Sequence, residues 1–175
     1  MPKPTDARCD RALQEIAKGK SKALSLLYQE YGKMILAVAY RLVGNPQDAE
    51  DVLQDVMVQI VRGASRYRAG SNPRAWVMAI TRNRAMDYLR SRTVTEDTDV
   101  ADYHEAIAAP EGAGRDLYVK DALNTLPRED ALLVHLKIYV GLTHSEIGGI
   151  LGITEAACRK RYERALEKLK PYFEA

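Results

Sequence analysis

Only two cysteines, Cys9 and Cys158, occur in 175 residues. They lie far apart without metal-ligand neighbours, which excludes a disulfide framework and a zinc site. His104, His135 and His144 have no triad or ligand spacing, and no Gly-rich phosphate loop or nucleophile-base pair occurs. The protein is therefore not expected to be an enzyme, and no catalytic residue, metal or cofactor is assigned. Glycine (11) and proline (7) are not enriched, so collagen-like and low-complexity chains are excluded. No apolar run approaches the roughly 18 residues of a membrane span. The start, Met1-Pro2-Lys3-Pro4-Thr5-Asp6, lacks the apolar stretch of a signal peptide. A cytoplasmic protein without membrane insertion is expected.

What is present is a folded composition, 46% hydrophobic and 29% charged, enough for one ordinary domain or two small ones. The net charge of +2 conceals segregation along the chain. Arg62, Arg66, Arg68, Arg74, Arg82, Arg84, Arg90 and Arg92 form a basic block in which Asp87 is the only acid. The sign then reverses through Glu96, Asp97, Asp99, Asp102, Glu105, Glu111 and Asp116, and turns basic again from Arg159 to Lys170. Two basic blocks around an acidic connector suggest two contacts with a polyanion.

Helical spacing dominates and no segment alternates strictly, so the fold is read as all-α: two small helical domains joined by an acidic linker. A short helix is expected near residues 10–18. Leu24, Leu27, Tyr31, Ile35, Val38 and Leu42 define a long amphipathic helix that stops at Gly44. Asn45 before Pro46 is an N-cap signal, with Asp48, Glu50 and Asp51 complementing the positive helix end, and this helix should run to about Arg62. Asn72 before Pro73 starts a further helix to about Ser91. Residues 1–92 form the first domain, 93–115 the linker, with Pro110, Gly112 and Gly114, and 116–175 the second domain.

In the second domain Leu117–Leu126 reads as a short helix broken by Pro127, and Leu132, Leu133, Leu136 and Tyr139 as the apolar face of the next, ending near Gly141. Thr143-His144-Ser145-Glu146 is a capping box opening a short helix with Ile147, Ile150 and Leu151 inside. Gly152 supplies a left-handed stop, and Thr154 caps a last helix to Pro171. This is the layout of a helix-turn-helix, whose second helix enters the major groove. Cys158, Tyr162, Ala165 and Leu169 fall on its buried stripe, so Cys158 is core, where redox sensing is disfavoured. Thr154, Arg159, Lys160, Glu163 and Arg164 are the candidate DNA contacts, because Arg and Lys can pair with guanine and Glu with the cytosine amine. The bland alternative is a solvated charged helix. The capped helix and glycine turn directly before it favour the DNA reading.

The runs Asn45-Pro46-Gln47-Asp48-Ala49-Glu50-Asp51-Val52-Leu53-Gln54-Asp55, Ala75-Trp76-Val77-Met78-Ala79-Ile80-Thr81-Arg82-Asn83 and Gly141-Leu142-Thr143-His144-Ser145-Glu146-Ile147 resemble the extracytoplasmic-function (ECF) group of bacterial sigma-seventy-family factors. The likeness covers residues 20–172, with region 2, a linker and region 4 in order. It implies a factor that binds core RNA polymerase, confers promoter specificity and assists promoter melting. The resemblance further implies, by position, that Asp51, Gln54 and Asp55 face the clamp coiled coil of the largest polymerase subunit. Asp48, Asp51 and Asp55 also share a helix face as an acidic stripe. The alternative, compensation of the helix dipole, accounts for Asp48 and Asp51 but poorly for Asp55. A carboxylate metal site is the poorer reading, since no further ligand converges.

The basic block matches the part of the family that melts the minus-ten element and holds its single strand. Tyr67, Ser71, Asn72 and Asn83 offer base-pocket groups, and Arg66, Arg68, Arg74, Arg82 and Arg84 offer phosphate contacts. Asn83 stands at the family's position for a pocket asparagine. It shares a stripe with Trp76, Ile80 and Asp87 that reads as core-facing, so the competing explanation is a buried Asn bonded to Asp87 or backbone. Trp76 reads as core rather than as a stacking platform. The acidic linker is either a nucleic-acid mimic in the polymerase cleft or a solvated tether. The helix-turn-helix is expected on the duplex minus-thirty-five element. Its reading helix begins Thr154-Glu155-Ala156-Ala157-Cys158-Arg159-Lys160-Arg161, a departure from the common Gly-Thr-Val-Lys-Ser-Arg type of run. The resemblance also implies restraint by an anti-sigma protein. A conventional helix-turn-helix regulator and a sigma-like decoy that binds only a regulatory protein are the alternatives; the retained DNA-facing arginines argue against the decoy.

Overall fold

The computed structural model describes residues 4–95, 119 and 121–174; no strand occurs among them. The chain divides into two compact units, Met1–Tyr103 and His104–Ala175. In the first, α1 (Pro4–Ala17), α2 (Leu24–Val43), α3 (Pro46–Gly63) and α4 (Pro73–Thr95) pack on one another. α1 starts six residues before the expected helix at 10–18. Proline is compatible with a first helical turn, so Pro4 does not delay it. The expected stop of α2 is present at Gly44, and Asn45 caps α3 by accepting from the Asp48 amide at 3.0 Å. α4 runs four residues past Ser91 to Thr95, so its last turn includes residues 93–95 of the expected linker; the rest of that linker lies outside the described residues.

The core of this unit joins Leu13 and Ile16 of α1 to Leu27, Ile35 and Leu42 of α2, and to Val56 and Ile60 of α3. Each such buried side chain contributes about 1.5–3 kcal/mol of transfer free energy. α4 adds Val77, Met78, Thr81 and Ala85. Thr81 is buried at no hydrogen-bonding cost because its hydroxyl donates to the Val77 carbonyl at 2.9 Å. Cys9 is buried under Tyr31, and burial pushes its thiol pKa up, which disfavours the reactive thiolate.

The second unit contains α5 (Arg128–His135), which continues as a π-helical turn over Leu136–Val140, then α6 (His144–Leu151) and α7 (Glu155–Leu169). The wider π turn corrects one expectation. Leu132, Leu133 and Leu136 are buried as expected, but Val140 takes the inward position and Tyr139 is 55% exposed. One added residue in the turn slips the helical register, which a 3.6-residue period does not anticipate. The expected capping box is complete: Thr143 Oγ1 accepts from the Glu146 amide at 3.2 Å, and Glu146 Oε2 accepts from the Thr143 amide at 2.8 Å. Gly152 adopts φ 70°, and Thr154 caps α7 through the Ala157 amide at 3.1 Å. α7 ends at Leu169, and a 3-10 turn, Lys170–Tyr172, takes up Pro171. No helix among the described residues is long and apolar enough to cross a membrane.

Candidate polymerase and nucleic-acid surfaces

α3 buries Ala49, Val52, Leu53, Val56 and Ile60, which leaves Asp51, Gln54 and Asp55 exposed on the opposite face. Val58, 46% exposed, continues that face one turn on, and Val61 borders it. These two valines were not singled out from sequence. The inward i, i+3, i+4 set on α3 was the signal that could have found Val58, because it leaves that position facing out. An acidic half followed by an apolar half is suited to a basic, partly apolar partner. Asp48 is not part of this face. α4 crosses the start of α3, and Tyr88 Oη and Arg92 Nη1 both donate to the Asp48 carboxylate, joined by Asn45 Nδ2 at 2.7 Å. Asp48 joins two helices and is only 7% exposed.

The basic block separates into two kinds of residue. Arg66 and Arg68 are exposed on the loop between α3 and α4, beside exposed Ser71. Arg82 and Arg84 are half-buried on the two flanks of α4, with Arg84 paired to Asp87 at 2.7 Å. Arg74 is the first correction: it is 5% exposed and forms a two-pronged ion pair with Asp6, through Nη2 at 2.6 Å and Nε at 3.2 Å. Its guanidinium is used inside the fold and is not presented to phosphate. Tyr67 is the second. Its ring is 8% exposed, and its hydroxyl donates to Asp10 at 2.6 Å with the Ser71 carbonyl at 3.0 Å. Burial first, then Asp10, hold the phenol well above its ordinary pKa. Asn72, half-buried, accepts from the amides of Arg74 at 3.0 Å and Ala75 at 3.4 Å, so its side-chain oxygen caps α4.

Asn83 is exposed. The stripe it shares with Trp76, Ile80 and Asp87 is real but faces outward, since Val77, Met78, Thr81 and Ala85 occupy the inner face. The buried-Asn explanation is thereby set aside: Asp87 bonds instead to Arg84 and Arg90. Trp76 is half-buried, with its ring edge-on to Tyr67 at 5.4 Å and close to Gly63. An exposed amide thus lies on one helix face with a half-buried indole, flanked by arginines, the combination needed to receive an unstacked base.

In α7, Cys158, Ala165 and Leu169 are buried as expected, and Tyr162 is half-buried against His144 with ring centroids 5.3 Å apart. Burial raises the Cys158 thiol pKa as well. Thr154, Arg159, Lys160, Glu163 and Arg164 are all exposed. Arg159 pairs with Glu155 at 2.9 Å, a surface contact weak enough to be exchanged for a base or phosphate. Arg161 differs: it is drawn back to Asp130 at 2.6 Å and Glu129 at 3.4 Å, fixing α7 to α5. No group of His, Cys, Asp and Glu suited to a metal ion occurs among the described residues.

The loop carries a pH dependence. Asp10 Oδ1 accepts from Tyr67 Oη and from the Gly70 amide at 2.8 Å, and Oδ2 accepts from Gln14 at 2.8 Å. Burial works to raise the Asp10 pKa, but the bonds from Tyr67, Gly70 and Gln14 outweigh it and hold the carboxyl below its ordinary value. A folded pKa below the unfolded one contributes stability above the unfolded value that is lost as pH falls through the folded value. The protection of the Gly70 amide relative to its intrinsic exchange rate should therefore fall below about pH 4, and Asp10→Ala should remove that inflection.

Comparison with known proteins places both units. The Sigma-70 region 2 family matches residues 27–95, and the Sigma-70, region 4 family matches residues 116–169. The RNA polymerase sigma factor CarQ of Myxococcus xanthus is 30% identical over 166 residues, covering 90% of this chain and 93% of CarQ. The ECF RNA polymerase sigma factor SigE of Mycolicibacterium smegmatis is 28% identical over 154 residues, covering 83% of this chain; the chain spans only 60% of SigE. In fold, the chain is similar to the sigma factor RpoE solved with the anti-sigma factor NepR from Bartonella quintana, at TM-score 0.73 and 24% identity over 85% of this chain and 97% of that one. It is likewise similar to CnrH solved with the cytosolic domain of CnrY, at TM-score 0.70 and 20% identity over 95% and 97%. With regions 2 and 4 matched in order, and a relative of 30% identity aligned over nearly its whole length, this chain belongs to the ECF group of the sigma-70 family of RNA polymerase sigma factors.

Proposed function

We propose that this alternative sigma factor divides promoter recognition among three outward faces: α3 for core polymerase, the 66–84 surface for the minus-ten strand, and α7 for the minus-thirty-five duplex. The observation that carries this reading is the separation of roles among charged residues of one type. Arg74 and Arg161 are paired inside their units, whereas Arg66, Arg68, Arg159 and Arg164 stay exposed on the faces assigned to DNA. Residues 1–92 then serve as the region 2-like domain, 93–115 as the acidic linker and 116–175 as the region 4-like domain, with α4 extending into the nominal linker. A cytoplasmic location and restraint by an anti-sigma protein accompany this function; the solved complex of RpoE with NepR supports the second.

On α3, Asp51, Gln54 and Asp55 meet the clamp coiled coil and Val58 extends the contact into apolar surface. Charge reversal at Asp51 and Asp55 is expected to weaken assembly with core polymerase by about tenfold or more, while far-ultraviolet circular dichroism stays unchanged. Unchanged affinity would remove α3 as the docking helix. On α7, Arg159→Ala with Lys160→Ala should relax base preference at the upstream element by about 1–3 kcal/mol per lost base contact. A uniform loss across all sequences, with a lower salt slope, would instead make both residues phosphate contacts.

A further inference from the structure

We infer that α1 is the positioning element of the strand-capturing loop, with Asp6 and Asp10 holding the 67–74 segment in its base-receiving shape. The inference rests on the reading of 66–84 as the minus-ten surface and adds to it residues outside the region 2 match, which begins at residue 27. The loop's own bonds close its two sides, with Tyr67 N donating to Ala64 O at 3.1 Å, Ser71 N and Oγ to Arg68 O at 3.1 and 2.7 Å, and Tyr67 Oη to Ser71 O at 3.0 Å; none of these takes the Gly70 amide or ties the loop to another helix. Gly70 stands at φ 78°, with nothing within 4 Å of where a Cβ would be.

What fixes the loop comes from α1. Asp10 Oδ1 takes the Tyr67 hydroxyl at 2.6 Å, at the loop's first foot, and the Gly70 amide at 2.8 Å, at its tip. One helical turn earlier, Asp6 takes Arg74 at 2.6 Å, at the second foot, and is itself steadied by the Tyr31 hydroxyl at 2.9 Å. Residues four apart share a helix face, so one face of α1 grips the loop at both ends and at its tip. The side chains facing outward from it, Arg66, Arg68 and Ser71, are left exposed for DNA. A loop ordered before it meets the strand loses less conformational entropy on capture, so the carboxylates favour strand capture without touching DNA.

The test uses holoenzyme assembled from the full chain and bacterial core polymerase, with a single-stranded oligonucleotide that the wild-type holoenzyme selects from a random-sequence pool. Asp10→Ala is expected to weaken capture of that strand by about tenfold, and Tyr67→Phe by several-fold, with affinity for core polymerase unchanged. Asp10→Asn keeps an oxygen for both Tyr67 and Gly70 and should restore most of the capture. Wild-type capture by Asp10→Ala would overturn the inference while leaving the minus-ten reading intact. Parallel loss of core affinity and strand capture would also overturn it, since α1 would then only hold the unit together. A wild-type holoenzyme that selects no strand would sink the minus-ten reading and this inference with it.

Discussion

Arg74→Ala should destabilise the N-terminal unit by about 3–5 kcal/mol, the usual cost of removing one partner from a buried ion pair. The side chains of Arg74 and Asp6 are only 7% and 8% exposed. Alanine leaves Asp6 with the Tyr31 hydroxyl but no counter-charge, and a buried carboxylate with one neutral donor is poorly compensated. Arg74→Lys should recover only part of the loss, because an ammonium cannot reproduce the two-pronged contact. Replacing both partners with apolar residues, Asp6→Leu with Arg74→Met, should recover most of it, since no charge then remains unpaired. Urea denaturation of the three variants beside the wild type checks the order. The same residue offers a second readout in DNA binding. A phosphate contact would lower the salt slope by about 0.7–0.9 on its removal; the buried pair requires that slope to stay at the wild-type value in the double variant Asp6→Leu/Arg74→Met, which lacks the cation.

Gly148→Ala is expected to cost the C-terminal unit about 2 kcal/mol or more, whereas Gly149→Ala should stabilise it by up to about 1 kcal/mol. The two glycines are neighbours in α6 and differ only in surroundings. A Cβ at Gly148 would sit 2.7 Å from the Ile153 carbonyl oxygen, a backbone atom of the turn that leads into α7. That oxygen cannot move without moving the turn between the two helices. A Cβ at Gly149 meets nothing within 4 Å, and alanine there gains helix propensity without a clash. Thermal denaturation of the full chain, followed by duplex binding, separates the two. Equal behaviour of the pair would mean that the turn is not closely packed.

The signals that read correctly from sequence are those whose chemistry closes within a few residues. The Asn45 cap, the Thr143–Glu146 box, the Thr154 cap and the left-handed Gly152 each form with neighbours three or four positions away. They mark helix starts and stops in both units, including the start of α7. Arg74 was assigned to phosphate because its partner, Asp6, lies 68 positions earlier on a helix whose start was placed too late. Tyr67 reads as a free base-pocket group for the same reason, with Asp10 57 positions away. Asp48 sits on the edge of its helix face, and only the crossing of α4 decides that it is covered.

Asn83 illustrates a different limit. α4 carries apolar residues on both faces, Val77 and Met78 on one and Trp76 and Ile80 on the other, so spacing alone does not determine which faces the core. The structure turns Asn83 outward and changes its meaning from an anomaly in the core to an accessible amide on the same helix face as an indole about two turns away. Tyr139 was misplaced by a π turn that local periodicity does not encode. Val58 and Val61 drew no attention because valines in an amphipathic helix read as interior until the inner stripe has been filled by others.

Transcription in vitro with purified bacterial core polymerase tests the central claim most directly, scanning genomic promoter fragments with and without the protein and with Asn83→Ala. The account predicts discrete transcripts that appear only when the protein is added, and a changed downstream-element preference with Asn83→Ala while core affinity is retained. Binding to duplex promoter DNA with neither core binding nor transcripts would contradict it and make the protein a conventional helix-turn-helix regulator.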